Sequence, residues 1–235
     1  MKRKRSNDRK MRYFAAIAAV LCSIWLLAGC GSGGTGQSTQ ESGSKEEAAE
    51  TETQEANADN AADTVDTSAM DHVQINVKDY GTITLALDAE AAPATVENFE
   101  KLVKEGFYDG LTFHRIMDGF MIQGGDPLGN GTGGSDETIV GEFAANGYDN
   151  PISHVKGVIS MARAQNPDSA SSQFFITVAD STFLDGEYAA FGYVTEGMEV
   201  ADQIAKDAEP IDGNGTIPPE AQPVIESMEM VELVK

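Results

Sequence analysis

Hydrophobic alternation starts late in this chain. Val73, Ile75 and Val77, then Ile83, Leu85 and Leu87, form two runs of period two separated by Lys78-Asp79-Tyr80-Gly81. Successive strand side chains point to opposite faces, so the pattern predicts a β-hairpin or meander with one buried face. The period then changes. Val96, Phe99 and Val103 recur at three and four residues behind Pro93, whose missing N–H is harmless in a first helical turn, and Gly106 stands where such a helix would end. Short apolar runs follow at 111–116, 120–123, 158–162, 173–178 and 189–194, spaced by Gly, Pro, Asp and Asn. A second short helix is expected over Met198 to Asp207, with Met198, Ala201, Ile204 and Ala205 on one side, and a last strand over Val224 to Val234. Many short strands with only two helices predict a mainly β fold. The expected form is a closed antiparallel barrel with its open ends covered by the helices, not a series of βαβ units.

The first 70 residues offer no such pattern. A basic stretch precedes an apolar run from Tyr13 to Ala28, about 16 residues where a membrane span needs roughly 20. With small residues at its end, this reads as a secretory signal peptide over 1–29. Leu27-Ala28-Gly29-Cys30 resembles the lipobox of bacterial lipoproteins, which would make Cys30 the lipidated first residue of the mature chain and hold it at the outer side of a membrane. Cys22 lies in the discarded run, so no disulfide is available to the mature domain. From Gly31 to Ala69 the residues are Gly, Ser, Thr, Gln, Ala, Asn and acids with a single basic residue, Lys45, and Val65 the one large aliphatic. Such a segment buries too little surface to offset ordering entropy. Residues 30–70 are therefore expected to be a disordered tether and 71–235 one folded domain.

Charge narrows the function. Lys and Arg number 16 against 38 Asp and Glu, a net charge of −22, and seven of the basic residues precede the apolar run. Without them the remainder is still more acidic and would repel phosphate backbones, which excludes nucleic acid as a natural partner.

Three blocks carry the chemistry. They are Phe113-His114-Arg115-Ile116-Met117-Asp118-Gly119-Phe120-Met121-Ile122-Gln123-Gly124-Gly125-Asp126; Ser160-Met161-Ala162-Arg163-Ala164 with Ser171-Ser172-Gln173-Phe174-Phe175-Ile176; and Phe183-Leu184-Asp185-Gly186-Glu187-Tyr188 with Phe191-Gly192. Together, in this order, they resemble the signature of the cyclophilin-type peptidyl-prolyl cis/trans isomerases, over about Val73 to Val234. The resemblance implies an eight-stranded closed barrel with two capping helices, a substrate groove outside the barrel, and no cofactor or metal. It also implies a monomer whose substrates are proline-containing polypeptides, here newly exported or unfolded ones. Carried over by residue, Arg115 matches the catalytic arginine, and Phe120, Met121, Phe175 and Leu184 match the walls of the proline pocket. Gln123, Gln173, Ala162 and Ala164 match groove positions, and Gly131 matches a glycine beside the pocket for the preceding residue. Three positions depart from many relatives: Phe183 in place of Trp, Tyr188 in place of His and Arg163 in place of Asn. The first removes an indole N–H and implies weak binding of cyclosporin A.

Other features are structural on this reading. His114 is expected to be a hydrogen-bonded structural group, and His72, His114 and His154 share no metal-ligand spacing. Gly129-Asn130-Gly131-Thr132-Gly133-Gly134 satisfies G-x-G-x-x-G, but no helix pattern follows it, so its glycines are assigned to turns at the groove edge. Ser171 and Ser172 lack a nucleophile elbow.

Overall fold

The computed structural model describes residues 60–232. The expected signal peptide, Cys30 and most of the expected tether lie outside the described residues. Strands β1 (Asp71–Val77) and β2 (Gly81–Leu87) form the hairpin that the alternation predicts, paired from Asp71–Leu87 to Val77–Gly81. Helix α1 (Pro93–Lys104) follows, then β3 (Phe113–Met117), β4 (Met121–Gly124), β5 (Val158–Met161), β6 (Phe174–Thr177), β7 (Ala190–Glu196), α2 (Met198–Asp207) and β8 (Ile225–Val231). The strands form one antiparallel sheet in the order β3-β4-β6-β5-β7-β2-β1-β8.

Helix α1 has Pro93 in its first turn but no side-chain cap from its own N-cap residue, Ala92. Its first amides are satisfied from a distance. The buried Glu142 carboxylate accepts from Ala94 N (3.0 Å), Thr95 N (2.8 Å) and Thr95 Oγ1 (2.7 Å), which places an anion at the positive end of the helix. Gly106, at φ +68°, ends the helix as expected. Phe99 from α1 then packs with Tyr108, Phe174 and Phe191 at centroid separations of 5.1–5.7 Å, the aromatic centre of the core. Rings this close contribute about 0.5–1.5 kcal/mol per pair beyond their buried area.

Two expectations change. The barrel is not closed by a ladder: β3 and β8 are the two ends of the sheet. Backbone bonds join only the first residue of each strand to the segment leading into the other, Gly110 N to Ile225 O (2.8 Å), Ile225 N to Leu111 O (2.8 Å) and Phe113 N to Pro223 O (3.0 Å). Further along, the free edge of β3 is taken by the 215–217 segment, through Ile116 N to Gly215 O (2.8 Å) and Ile217 N to His114 O (3.0 Å). Pro218, Pro219 and Pro223 lack the N–H groups a continuous ladder would need.

The second concerns the start of the domain. Asn60 to Met70, read from composition as tether, packs on the sheet. Ala61 N donates to Lys156 O (3.0 Å), and Asn60 Nδ2 donates to Val194 O (2.6 Å). Asn60 occupies the space that a Cβ on Gly157 would need, and Ala61 is buried with Ile152, Val158, Ala190 and Tyr193. Backbone donors and a small side chain suffice here because the sheet supplies the groove.

Candidate active site

The site begins with a fault in a strand. The β3–β4 register runs Phe113–Gly124 and then Arg115–Gln123, leaving His114 unpaired in a bulge. Strict alternation would put Arg115 on the same face as Phe113, in the core. The extra residue instead lets Phe113 and Ile116 both enter the core while Arg115 and Met117 face outward. Gln123 lies opposite Arg115 on β4, Phe175 opposite Gln123 on β6, and Ser160 opposite Phe175 on β5. One row of positions therefore crosses four strands.

Arg115 is held without an ion pair. Its Nε donates to Asn214 O (2.7 Å) and its Nη1 to Gln123 Oε1 (3.1 Å). The remaining contacts are thioethers, Met121 Sδ at 3.7 Å from Nη1 and Met117 Sδ at 3.3 Å from Nη2. Thioethers are weak acceptors, so donor capacity is left over. Burial pulls the guanidinium's pKa below its ordinary value, opposed by Tyr188 and Asp212. Gln123 Nε2 passes the chain of bonds to Gln173 Oε1 (2.9 Å), and Gln173 Nε2 donates to Gly133 O (2.7 Å). The fork of Arg115 is thus tied through two amides to the glycine-rich loop.

Two concavities of about 330 Å³ each flank this relay. The first is lined by Arg115, Phe120, Met121, Gln123, Ala162, Arg163, Phe175, Leu184 and Tyr188. The second is lined by Gly131, Ala164 and Gln173 among others, and shares Gln123, Ala162 and Arg163 with the first. Every residue singled out in the folded domain lines one or the other except Phe183. That ring is 71% exposed and leans on Phe120 at 5.5 Å.

Residues to which the motif blocks assign no role explain why the walls stay put. Buried Asp126 gathers the amides of Leu128 (2.8 Å), Asn130 (3.0 Å) and Gly131 (2.6 Å), with Gly131 at φ +86°. Burial alone would raise its pKa, but the donated amides outweigh that and hold it below 3.8. The G-x-G-x-x-G match is this anion-centred turn. His154, fully buried, stacks on Phe175 and joins Asp185 to Ser160: Nδ1 lies 2.9 Å from Asp185 Oδ1, and Nε2 lies 3.0 Å from Ser160 Oγ. Asp185 also accepts from Ser153 Oγ (2.6 Å) and His154 N (2.7 Å), which fixes the loop bearing Leu184. His114 corrects an expectation: it is buried, but neither ring nitrogen has a hydrogen-bond partner. No group of His, Cys, Asp and Glu suited to a metal occurs among the described residues.

An antiparallel eight-stranded sheet with two helices, carrying on its outer face a concavity walled by Phe120, Met121, Phe175 and Leu184 and a guanidinium with no carboxylate partner, defines the class. The model of the cyclophilin type peptidyl-prolyl cis-trans isomerases matches residues 72–230, and the chain belongs to that family. It is 48% identical over 129 residues to peptidyl-prolyl cis-trans isomerase B of Bacillus subtilis, covering 55% of this chain and 87% of the relative. A Helicobacter pylori peptidyl-prolyl cis-trans isomerase is 48% identical over 126 residues, 53% of this chain and 75% of the relative. Among solved structures, a Cryptosporidium parvum cyclophilin type isomerase, crystallised in the presence of the dipeptide Ala-Pro, superposes with a TM-score of 0.60 at 29% identity. That alignment covers 68% of this chain and 99% of the other. The enzymatic activity is peptidyl-prolyl cis-trans isomerisation.

Proposed function

We propose that this isomerase acts outside the cytoplasm, tethered to a membrane by lipid on Cys30, on proline-containing segments of exported polypeptides, with Arg115 as its catalytic residue. The observation that carries the catalytic assignment is the half-buried guanidinium of Arg115, fixed by Asn214 O and Gln123 Oε1 with no carboxylate partner, at the edge of a concavity walled by Phe120, Met121, Phe175 and Leu184.

Rotation about a peptide C–N bond costs ~18–20 kcal/mol because resonance gives it partial double-bond character. At X-Pro bonds exchange takes tens to hundreds of seconds. As the bond twists, the proline nitrogen becomes pyramidal and its lone pair is freed from the carbonyl. A cationic donor beside that nitrogen binds the twisted state better than either planar one, so its interaction lowers the barrier instead of merely deepening the bound state. Phe120, Met121, Phe175 and Leu184 would receive the pyrrolidine ring and exclude water, strengthening the arginine contact. The second concavity, with Gly131 and the relay amides, would take the chain ahead of proline. No proton moves and no cofactor is needed. Phe183, exposed and without an indole N–H, favours weak binding of cyclosporin A.

The reading is tested on a peptide that begins in the cis form. The purified protein should accelerate its exchange, and Cys30→Ala should move the protein from the membrane fraction to the soluble fraction with the rate unchanged. Unaltered processing and membrane retention in that variant would remove the lipid anchor from the account.

A further inference from the structure

Arg115 faces two methionine sulfurs, and only one of them is accessible. Met121 is 1% exposed, whereas Met117 is half-buried at the groove edge with Sδ 3.3 Å from Arg115 Nη2. The other half-buried methionines of the described chain, Met70, Met198 and Met230, lie ahead of β1, at the start of α2 and in β8, away from this groove. Met117 is also held in place. Gly215, at φ +84°, passes so close that a Cβ there would come within 2.6 Å of Met117 Cγ, and Phe120 N donates to Met117 O (3.0 Å) in the hairpin turn.

We propose that Met117 is a reversible oxidation site, through which peroxide-class oxidants silence the isomerase by occupying Arg115. The proposal rests on Arg115 as the operative donor. In the step, a sulfur lone pair attacks one oxygen of the peroxide. The S=O bond forms as the O–O bond breaks, and the other oxygen leaves as water, so the sulfur is oxidised and the peroxide reduced. A thiol-dependent methionine sulfoxide reductase reverses it, removing the oxygen as water at the expense of two thiols. The thioether is a weak acceptor that leaves Nη2 available, whereas the sulfoxide oxygen is a polar acceptor carried by a sulfur already at contact distance. A bond from a charged donor is about twice as strong as a neutral one, so Nη2 would be drawn onto Met117 and away from substrate. Neither the charge nor the fold need change. The predicted signature is therefore a loss of rate with the structure intact.

The experiment exposes the full chain to hydrogen peroxide under native conditions. It follows, in the same samples, the oxidation of the Met117 peptide by mass spectrometry, the isomerisation rate and the melting transition. The expected result is a roughly tenfold fall in kcat/KM that tracks Met117 oxidation. The transition should persist, methionine sulfoxide reductase should restore the rate, and Met117→Leu should keep most of its own untreated rate. Full oxidation of Met117 with an undiminished rate would overturn the proposal, as would a Met117→Leu protein that inactivates in step with the parent. Arg115→Ala, assayed without oxidant, tests the underlying reading separately. A full rate there removes Arg115 from catalysis, whereas a lost rate beside an unaffected Met117-oxidised enzyme overturns only the oxidation proposal.

Discussion

Two segments bring a guanidinium to the same groove, and they treat it in opposite ways. Arg163, on the loop after β5, has an oxygen acceptor at each of its three nitrogens. Nε and Nη2 donate to Glu187 O (3.0 and 2.8 Å), Nη1 donates to Ala164 O (3.1 Å), and Glu187 Oε2 lies 3.4 Å away. Its plane is stacked between Phe143 and Tyr188, at 4.9 and 4.8 Å from the ring centroids. The β3–β4 hairpin leaves Arg115 with two oxygen acceptors and two sulfurs. A guanidinium whose donors are filled by its own protein is a strut, while one whose donors face thioethers has something left for a substrate. Proximity to the cavity does not separate the two, because both line it. Hydrogen-bond accounting does.

The largest effect expected from this contrast is at Arg115. Arg115→Lys keeps a cation but loses the planar fork, and should lower kcat/KM about 100-fold with the melting temperature nearly unchanged. A Lys variant with near-parental turnover in the same peptide assay would show that charge alone suffices. Arg163→Ala should do the reverse. It removes the ring stacking and the tie to Glu187, and is expected to cost about 1–2 kcal/mol of stability, a few degrees in melting temperature. The loosened Tyr188 wall should raise KM a few-fold and leave kcat nearly intact.

The smallest effect compares the two regions through their buried histidines. His114 lies in the β3 bulge beside Arg115, and His154 lies under Phe175. Burial lowers both below the ordinary 6.5, with Asp126 opposing and Arg115 adding to the shift at His114, and Asp185 opposing it at His154. The unfolded chain therefore takes up protons below about pH 6.5 that the folded chain refuses, and stability is full above that pH and declines as pH falls toward the folded values. Urea unfolding at pH 7.5 and 5.5 should show the loss, and His154→Gln should show less of it. Equal slopes in the two proteins would take His154 out of the linkage.

Much of the candidate site's lining was legible before the fold, because every residue around the first concavity sits in one of the three dense, ordered blocks. The strand and helix pattern was also plain, down to α2 at Met198–Asp207. What sequence could not supply was geometry set by distant partners. Nothing local announces the bulge at His114 that turns Arg115 outward, or that its Nε would find a carbonyl 99 residues away at Asn214. The glycines of 129–134 read from sequence as turns at the groove edge, and Gly129 and Gly131 do take positive φ, but nothing in the pattern shows that the Asp126 carboxylate organises them. Asn60 to Val65 looked unfoldable because composition does not show the partners that dock it, the carbonyls of Lys156 and Val194 and the apolar cluster that receives Ala61. Phe183 belongs to the third block, and only the structure shows that its exposed ring leans on Phe120, a wall of the first concavity.

The most direct test sets the two guanidiniums against each other: kcat and KM of Arg115→Ala and Arg163→Ala, measured by cis–trans exchange on one proline peptide, with folding monitored alongside. The account predicts a loss of roughly 100- to 1,000-fold in kcat for Arg115→Ala and little change in kcat for Arg163→Ala. Comparable losses in the two variants, or a larger one at Arg163, would contradict it.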